Sequence, residues 1–178
     1  LFNFGKYNLF FDPLCADVGN SIGAAYSFFF LRKNKIKPLK DIYITSRING
    51  ANQWEEFTLE GLKQSNNVKV KDVVEILNRG EVVGLYQGNS EAGPRALGNR
   101  SLLLDPTLPA AKEKMNKIKK REAFRPFACT ILKEKANEWF DMAGIEESPY
   151  IMYAIEARDK ARKETPAIVH VDDTCRIQ

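Results

Sequence analysis

Apolar residues along this chain fall in short runs separated by polar and glycine-rich stretches, the lengths of strands and single helices. Leu9-Phe10-Phe11 ends in Asp12-Pro13 and reads as a strand or loop. An apolar stretch from Asp17 to Leu31 predicts a helix, with Asp17 where an N-cap would stand and Gly19 and Gly23 admitting close approach. Its aromatic part, Ala24 to Leu31, reads as buried. Lys33 to Lys40 is a basic loop with Pro38, and Ile42-Tyr43-Ile44 a short strand. Trp54 to Leu62 fits a helix, and Gln64 to Asn67 a turn or linker. Asp72 to Asn78 has helical spacing and stops at Gly80, a suitable C-cap. Val82 to Tyr86 reads as a buried strand, and Leu102-Leu103-Leu104 as a second. Pro109 to Lys120 predicts a helix, with proline at its start and Met115 and Ile118 three apart. A strand at Ala128–Leu132, a helix at Lys135–Met142, and strands at Tyr150–Ala157 and Ala167–Val171 complete the pattern. Such alternation predicts an α/β (α+β) fold, a mixed twisted sheet with helices packed on it.

Between the strands at 82–86 and 102–104 lies Gly88-Asn89-Ser90-Glu91-Ala92-Gly93-Pro94-Arg95-Ala96-Leu97-Gly98-Asn99-Arg100-Ser101. Glycines let a loop backbone lie close to a ligand. Arg95 and Arg100 bring guanidinium groups, which bind phosphate or a polarised carbonyl bidentately and stay charged when partly desolvated. A second cationic set, Lys119-Lys120-Arg121-Glu122-Ala123-Phe124-Arg125-Pro126-Phe127, follows the lysine-rich helix. The two sets read as facing walls of one anion site. Arginines on a loop are ordinarily solvated or paired on the surface. Against that stand the glycines on both sides of the charges and the Phe124 and Phe127 rings flanking Arg125.

The 178 residues, 44% hydrophobic and 28% charged, have the composition of a globular protein holding one large domain or one domain and part of another. No apolar run approaches the roughly 20 residues that span a bilayer, and no signal segment opens the chain. Three dispersed cysteines without a CxxC pair point to reduced thiols and a cytoplasmic location. A net charge of +4 suits phosphorylated small molecules. The basic run Lys112 to Arg121 is broken at helical spacing by Glu113, Met115 and Ile118, a solvated helix face rather than a nucleic-acid surface. The absence of an initiator methionine and the stop at Gln178 lead to the expectation of a fragment of a longer enzyme, or a processed protein.

GPRALGNRS, then IKKREAFRPFA from Ile118 to Ala128, then PAIVHVDDTCRIQ from Pro166 to Gln178, closely resemble the carbamoyltransferase family, which includes the O-carbamoyltransferases of nodulation-factor and antibiotic biosynthesis. The resemblance runs in order from about Asp12 to the last residue. It implies a YrdC-like, carbamoyl-adenylate-forming domain over residues 41–178, preceded over residues 1–40 by the tail of an actin-like carbamoyl-transfer domain. It implies formation of carbamoyl-adenylate from carbamoyl phosphate and ATP, then carbamoyl transfer to a hydroxyl of a small-molecule or sugar acceptor.

By the same resemblance, Arg95, Lys119 and Arg125 take carbamoyl phosphate and the carbamoyl group. Arg121, Arg100, Asn99 and Ser101 orient them or bind the nucleotide, and His170 and Arg176 are further binding candidates. Asp17 matches a ligand of an iron(II)-type metal, with Mg possible for ATP. The family's upstream histidine pair has no counterpart here, His170 being the single histidine. Without the resemblance, Asp17 is a helix cap and His170 a structural group. Asn89 and Ala92 stand where the family commonly has arginine and an aromatic, and Asp173 where it has glycine. Rival readings are a threonylcarbamoyl-adenylate synthase-like tRNA-modification protein, and a non-catalytic nucleotide- or RNA-binding module. No membrane partner is expected, and a homo-oligomer is possible.

Overall fold

A computed structural model describes residues 2–4, 7–9, 11–44, 65 and 67–178. The expected Trp54–Leu62 helix lies outside the described residues, as does most of the Gln64–Asn67 turn. Two three-residue strands, β1 (Phe2–Phe4) and β2 (Tyr7–Leu9), pair antiparallel with Phe2 opposite Leu9. A 3₁₀ turn at Asp17–Gly19 leads into α1 (Asn20–Leu31). Asp17 lies inside that turn and not at a cap; Ala16 and Gly19 hold the N-cap positions. Glycine is needed at 19, because a Cβ would collide with the Leu14 carbonyl oxygen.

The expectation that α1 is buried is corrected. None of its residues is buried, and Phe30 is 72% exposed. Its apolar residues run around the whole circumference, a pattern that signals burial but selects no face. Ile42–Ile44 is likewise not a strand: the chain bends at Ile42. Its backbone meets the glycine-rich loop through the Ala92 amide, which donates to the Ile42 carbonyl at 2.7 Å.

Helix α2 (Val70–Asn78) starts where the Lys69 amide donates to the Asp72 carboxylate, and it stops at Gly80 (φ +73°) as expected. It feeds β3 (Val83–Tyr86), which pairs antiparallel with β4 (Arg100–Leu103), Tyr86 opposite Arg100. These strands form a separate ribbon, so β3 is not buried and Tyr86 is 62% exposed. Helix α3 (Ala111–Ile118) turns Ala111, Met115 and Asn116 inward.

The remainder is a four-stranded mixed sheet in the order β5-β8-β7-β6. Its strands are β5 (Ala128–Cys129), β6 (Phe140–Asp141), β7 (Ala154–Ala157) and β8 (Thr174–Ile177). Only β5 and β8 run parallel. The expected helix at Lys135–Met142 is helical only over α4 (Ala136–Trp139) and then becomes β6. Helix α5 (Asp159–Glu164), which the apolar pattern did not mark, follows β7.

The expected strand at Ala167–Val171 is also corrected: Pro166–Ile168 is a 3₁₀ turn, and the strand comes later, at β8. A short apolar run has no period, and here it buries Ala167 and Ile168 as a turn. Strand β8 alternates instead, with Cys175 and Ile177 inward and Thr174 and Arg176 half-exposed. Phe140, Ile155, Ala157, Ala161, Cys175 and Ile177 form the main core under the sheet. A smaller cluster joins Leu14, Ile42, Leu97 and Ile151, so the glycine-rich loop is pinned through its one buried leucine.

Candidate anion-binding site

The loop between β3 and β4 is built around a carboxylate. Oε1 of Glu91 accepts the backbone amides of Leu97 at 2.8 Å, Asn99 at 2.7 Å and Arg100 at 3.3 Å. Burial alone would raise the Glu91 carboxyl pKa, but these amides outweigh it and hold the group below the ordinary carboxylate range. Gly98 sits at φ +104°, a conformation that disfavours a side chain, and its amide donates to Ser101 Oγ at 2.9 Å. Asn99 Nδ2 donates to the Asn89 carbonyl at 2.7 Å.

Arg100 is spent on the same loop. Its Nη1 donates to the carbonyls of Gln87 and Asn99 at 2.6 and 2.8 Å, and its guanidinium lies 3.5 Å from the Tyr86 ring centre. Asn99, Arg100 and Ser101 therefore shape the loop in this structure. Glu91, which organises them, was missed in the sequence. The available signal was a single acid in a glycine-rich loop whose amides need an acceptor.

Arg95 reaches instead to the segment that leads into β7. Its Nη1 lies 3.6 Å from Met152 Sδ, and its buried Nε has no hydrogen-bond partner among the described residues. On β8, burial and then the Arg95 charge lower the pKa of Arg176. Across from them, burial and then the charges of Arg125 and Arg176 lower that of Arg121, with Glu122 opposing. The Arg176 charge is thus coupled both to Arg95 and to Arg121. Guanidiniums crowded in this way repel one another, and a bound anion would relieve the repulsion.

Arg121 is held tightly. Its Nη2 donates to the Pro126 carbonyl at 3.3 Å, and its plane lies 4.1 Å from the Phe127 ring centre. Arg125 is exposed and ion-paired with Glu122 at 2.8 Å. Lys119 stands exposed at the C-cap of α3, with no ion pair among the described residues.

His170 occupies the turn into β8. Its amide donates to the Thr174 carbonyl at 2.8 Å, and its Nδ1 lies 3.2 Å from Thr174 Oγ. Asp173 takes φ +60° in that turn, the backbone a glycine would favour. Its carboxylate lies 3.5 Å from Arg162 Nε, which directs the added negative charge to Arg162. The Asn89 side chain donates to the Tyr43 carbonyl at 3.3 Å and so helps dock the loop on the 41–44 segment.

Asp17 is exposed, beside a cleft of about 530 Å³ lined by Leu14, Cys15, Asp17, Gly19, Asn20 and Gly23. No group of three or more His, Cys, Asp or Glu side chains forms among the described residues, so those residues do not fit a metal site around Asp17. No described helix is long and apolar enough to cross a membrane.

Residues 74–178 match the family described as Carbamoyltransferase C-terminus. The chain is 32% identical over 186 residues to nodulation protein NolNO of Sinorhizobium fredii, covering 96% of this chain and 26% of that protein. It is 34% identical over 180 residues to nodulation protein NolO of Bradyrhizobium diazoefficiens, covering 96% of this chain and 33% of the relative. Against nodulation protein U of the same organism it is 30% identical over 174 residues, 93% of this chain and 28% of that one. The chain therefore spans about a third or less of the length of these curated relatives.

Proposed function

The chain belongs to the carbamoyltransferase family, and from that premise we propose that it forms carbamoyl-adenylate as the first half of an O-carbamoyl transfer. The observation that carries the proposal is the coupling of Arg95, Arg121, Arg125 and Arg176, with Glu122 alone opposing among the charges that act on Arg121. Carbamoyl phosphate and ATP are both polyanions, and bringing their reacting ends together requires fixed positive charge in a partly desolvated place.

In this reading water hydrolyses carbamoyl phosphate to carbamate and inorganic phosphate. The carbamate oxygen attacks the α-phosphorus of ATP, the α–β bridging P–O bond breaks and pyrophosphate leaves. Arg95 and Arg176 hold the carbamoyl phosphate, and Arg121 and Arg125 stabilise charge on the phosphoryl group in flight. Lys119, mobile on its long stem, reaches in from the end of α3 when substrate is bound. His170 orients the turn that presents Arg176. The carbamoyl group then passes to a hydroxyl on a small-molecule or sugar acceptor, and AMP leaves. We assign that second step to an actin-like unit of which residues 1–40 are the tail, and the first to a YrdC-like unit over residues 41–178. The described residues fit no metal, and no step is routed through one. The proposed setting is cytoplasmic.

The test is carbamoyl-phosphate- and ATP-dependent pyrophosphate release by the full-length protein, beside Lys119→Ala and Arg125→Ala variants. Release that collapses in both variants supports the reading. A folded full-length protein without release, or release unchanged in the variants, overturns it. Salt-sensitive RNA binding in that case would favour the non-catalytic module.

A further inference from the structure

Asn116 is 2% exposed on the inner face of α3, and an amide buried that deeply needs partners for its oxygen and its nitrogen. It finds them all in the segment that carries the second cationic wall. Oδ1 accepts Arg121 Nε–H at 2.5 Å, and Nδ2 donates to the carbonyls of Ala123 and Arg125, each at 3.1 Å.

The main chain repeats the connection. Helix α3 closes with Lys120 in the left-handed region (φ +49°). The Lys120 amide then bonds the Lys117 carbonyl at 3.1 Å, and the Arg121 amide bonds the Asn116 carbonyl at 3.1 Å. That pair of bonds is a Schellman closure, which reverses the chain within one turn of the helix end. Residues 121–125 consequently wrap back around one buried side chain. With Nε on Asn116, Nη2 on the Pro126 carbonyl and one face on Phe127, the Arg121 guanidinium has a single orientation. Its Nη1 hydrogens carry no bond to another described residue, which leaves them for a ligand.

We propose that Asn116 is the positioning residue of the anion site: it fixes the orientation of the Arg121 guanidinium. The proposal rests on the reading of the arginine cluster as an anion site, and it extends that reading to a residue that touches no anion itself. No hydrophobic side chain can replace Asn116, because the Ala123 and Arg125 carbonyls and the Arg121 Nε–H would all lose their partner.

The experiment is a double-mutant cycle in the full-length protein with Asn116→Ala, Arg121→Ala and the pair, read by calorimetric affinity for inorganic phosphate and for carbamoyl phosphate, with near-UV circular dichroism to establish folding. Asn116→Ala is expected to weaken phosphate binding by about tenfold, and to add less than about twofold once Arg121 is alanine, because it acts through that guanidinium. The KM for carbamoyl phosphate should rise by a similar factor. Fold-losses that multiply in the double variant overturn the proposal, since a general loosening of the fold would not depend on Arg121. If Asn116→Ala does not fold, Asn116→Ser enters the same cycle under the same criterion: affinity falls only while Arg121 is present, and a fall independent of Arg121 overturns the proposal. Phosphate binding with a coupled cycle but no pyrophosphate release sinks the carbamoyl-adenylate reading and leaves Asn116 in its role. Release with an uncoupled cycle does the reverse.

Discussion

The side-chain amide of Gln178 donates to the Leu97 carbonyl at 3.0 Å, joining residues 81 apart in the chain. Leu97 is the buried leucine of the glycine-rich loop, and Gln178 directly follows β8, the strand that carries Arg176. The same carbonyl also accepts the Tyr43 hydroxyl at 3.1 Å. One acceptor thus locks the loop bearing Arg95 to the sheet bearing Arg176.

Gln178→Ala should cost about 1 kcal/mol, the usual net contribution of such a hydrogen bond, and lower the melting temperature by about 2–4 °C for a chain of this size. Tyr43→Phe should cost a similar amount. Because the two donors share one acceptor, the pair should cost more than the sum of the singles. Differential scanning calorimetry of the three variants checks this, and strict additivity would count against a shared anchor.

Glu91→Ala should be the more damaging change, leaving three backbone amides without their acceptor, at about 1–3 kcal/mol for each unsatisfied buried group before relaxation and water entry. The carboxyl pKa is depressed in the fold, so its contribution is fully present above the ordinary value of 4.5 and is lost as pH falls through the lower folded value. A melting-temperature series from pH 7 down to pH 3 should therefore fall less steeply in Glu91→Gln than in the parent. Parallel curves would show that the carboxylate does not hold the loop.

Arg95 and Arg176 repel each other, and Arg95 Nε is buried without a hydrogen-bond partner among the described residues. Arg95→Met keeps most of the packing volume and removes both penalties. It should leave the ligand-free protein as stable or more stable, by about 1–2 kcal/mol at most, while abolishing the rise in melting temperature that the anion-site reading expects of the parent in millimolar phosphate. A destabilised Arg95→Met that still responds to phosphate would reverse the assignment.

The thiols differ in exposure: Cys175 is buried, Cys129 half-buried and Cys15 exposed. Burial pushes Cys129 up to about 12 and Cys175 up to about 11. At pH 8 iodoacetamide should modify Cys15 in the folded protein and reach Cys129 and Cys175 only after urea unfolding, because the thiolate is the reactive form. Peptide mass spectrometry reads the pattern directly, and early labelling of Cys129 would contradict the packing under β5.

Helices α2 and α3 were legible from local signals: Gly80 stops α2, and Pro109 stands just before α3, whose Met115 is buried while Ile118, three positions on, is exposed. Strand β8 was not legible. Thr174-Cys175-Arg176-Ile177 is short and half polar, and it becomes a strand only because β5 and β7 lie on either side to take its backbone bonds. The apolar run at Ala167–Val171 offered a stronger local signal and folded as a turn, since burial alone selects no backbone conformation.

The same division holds at the site. The residue types and their order along the chain set the chemistry: paired cationic segments, glycines to bring backbone close, and a family resemblance carried by three motifs. Tertiary structure decided which charges are bonded within the loop. Arg100 and Arg95 lie five positions apart, yet Arg100 is consumed by the carbonyls of Gln87 and Asn99 while the Arg95 charge acts on Arg176. Sequence determines which groups can ionise and bond locally. Only the folded chain determines which of those bonds are satisfied internally, and therefore which charge is left for a ligand.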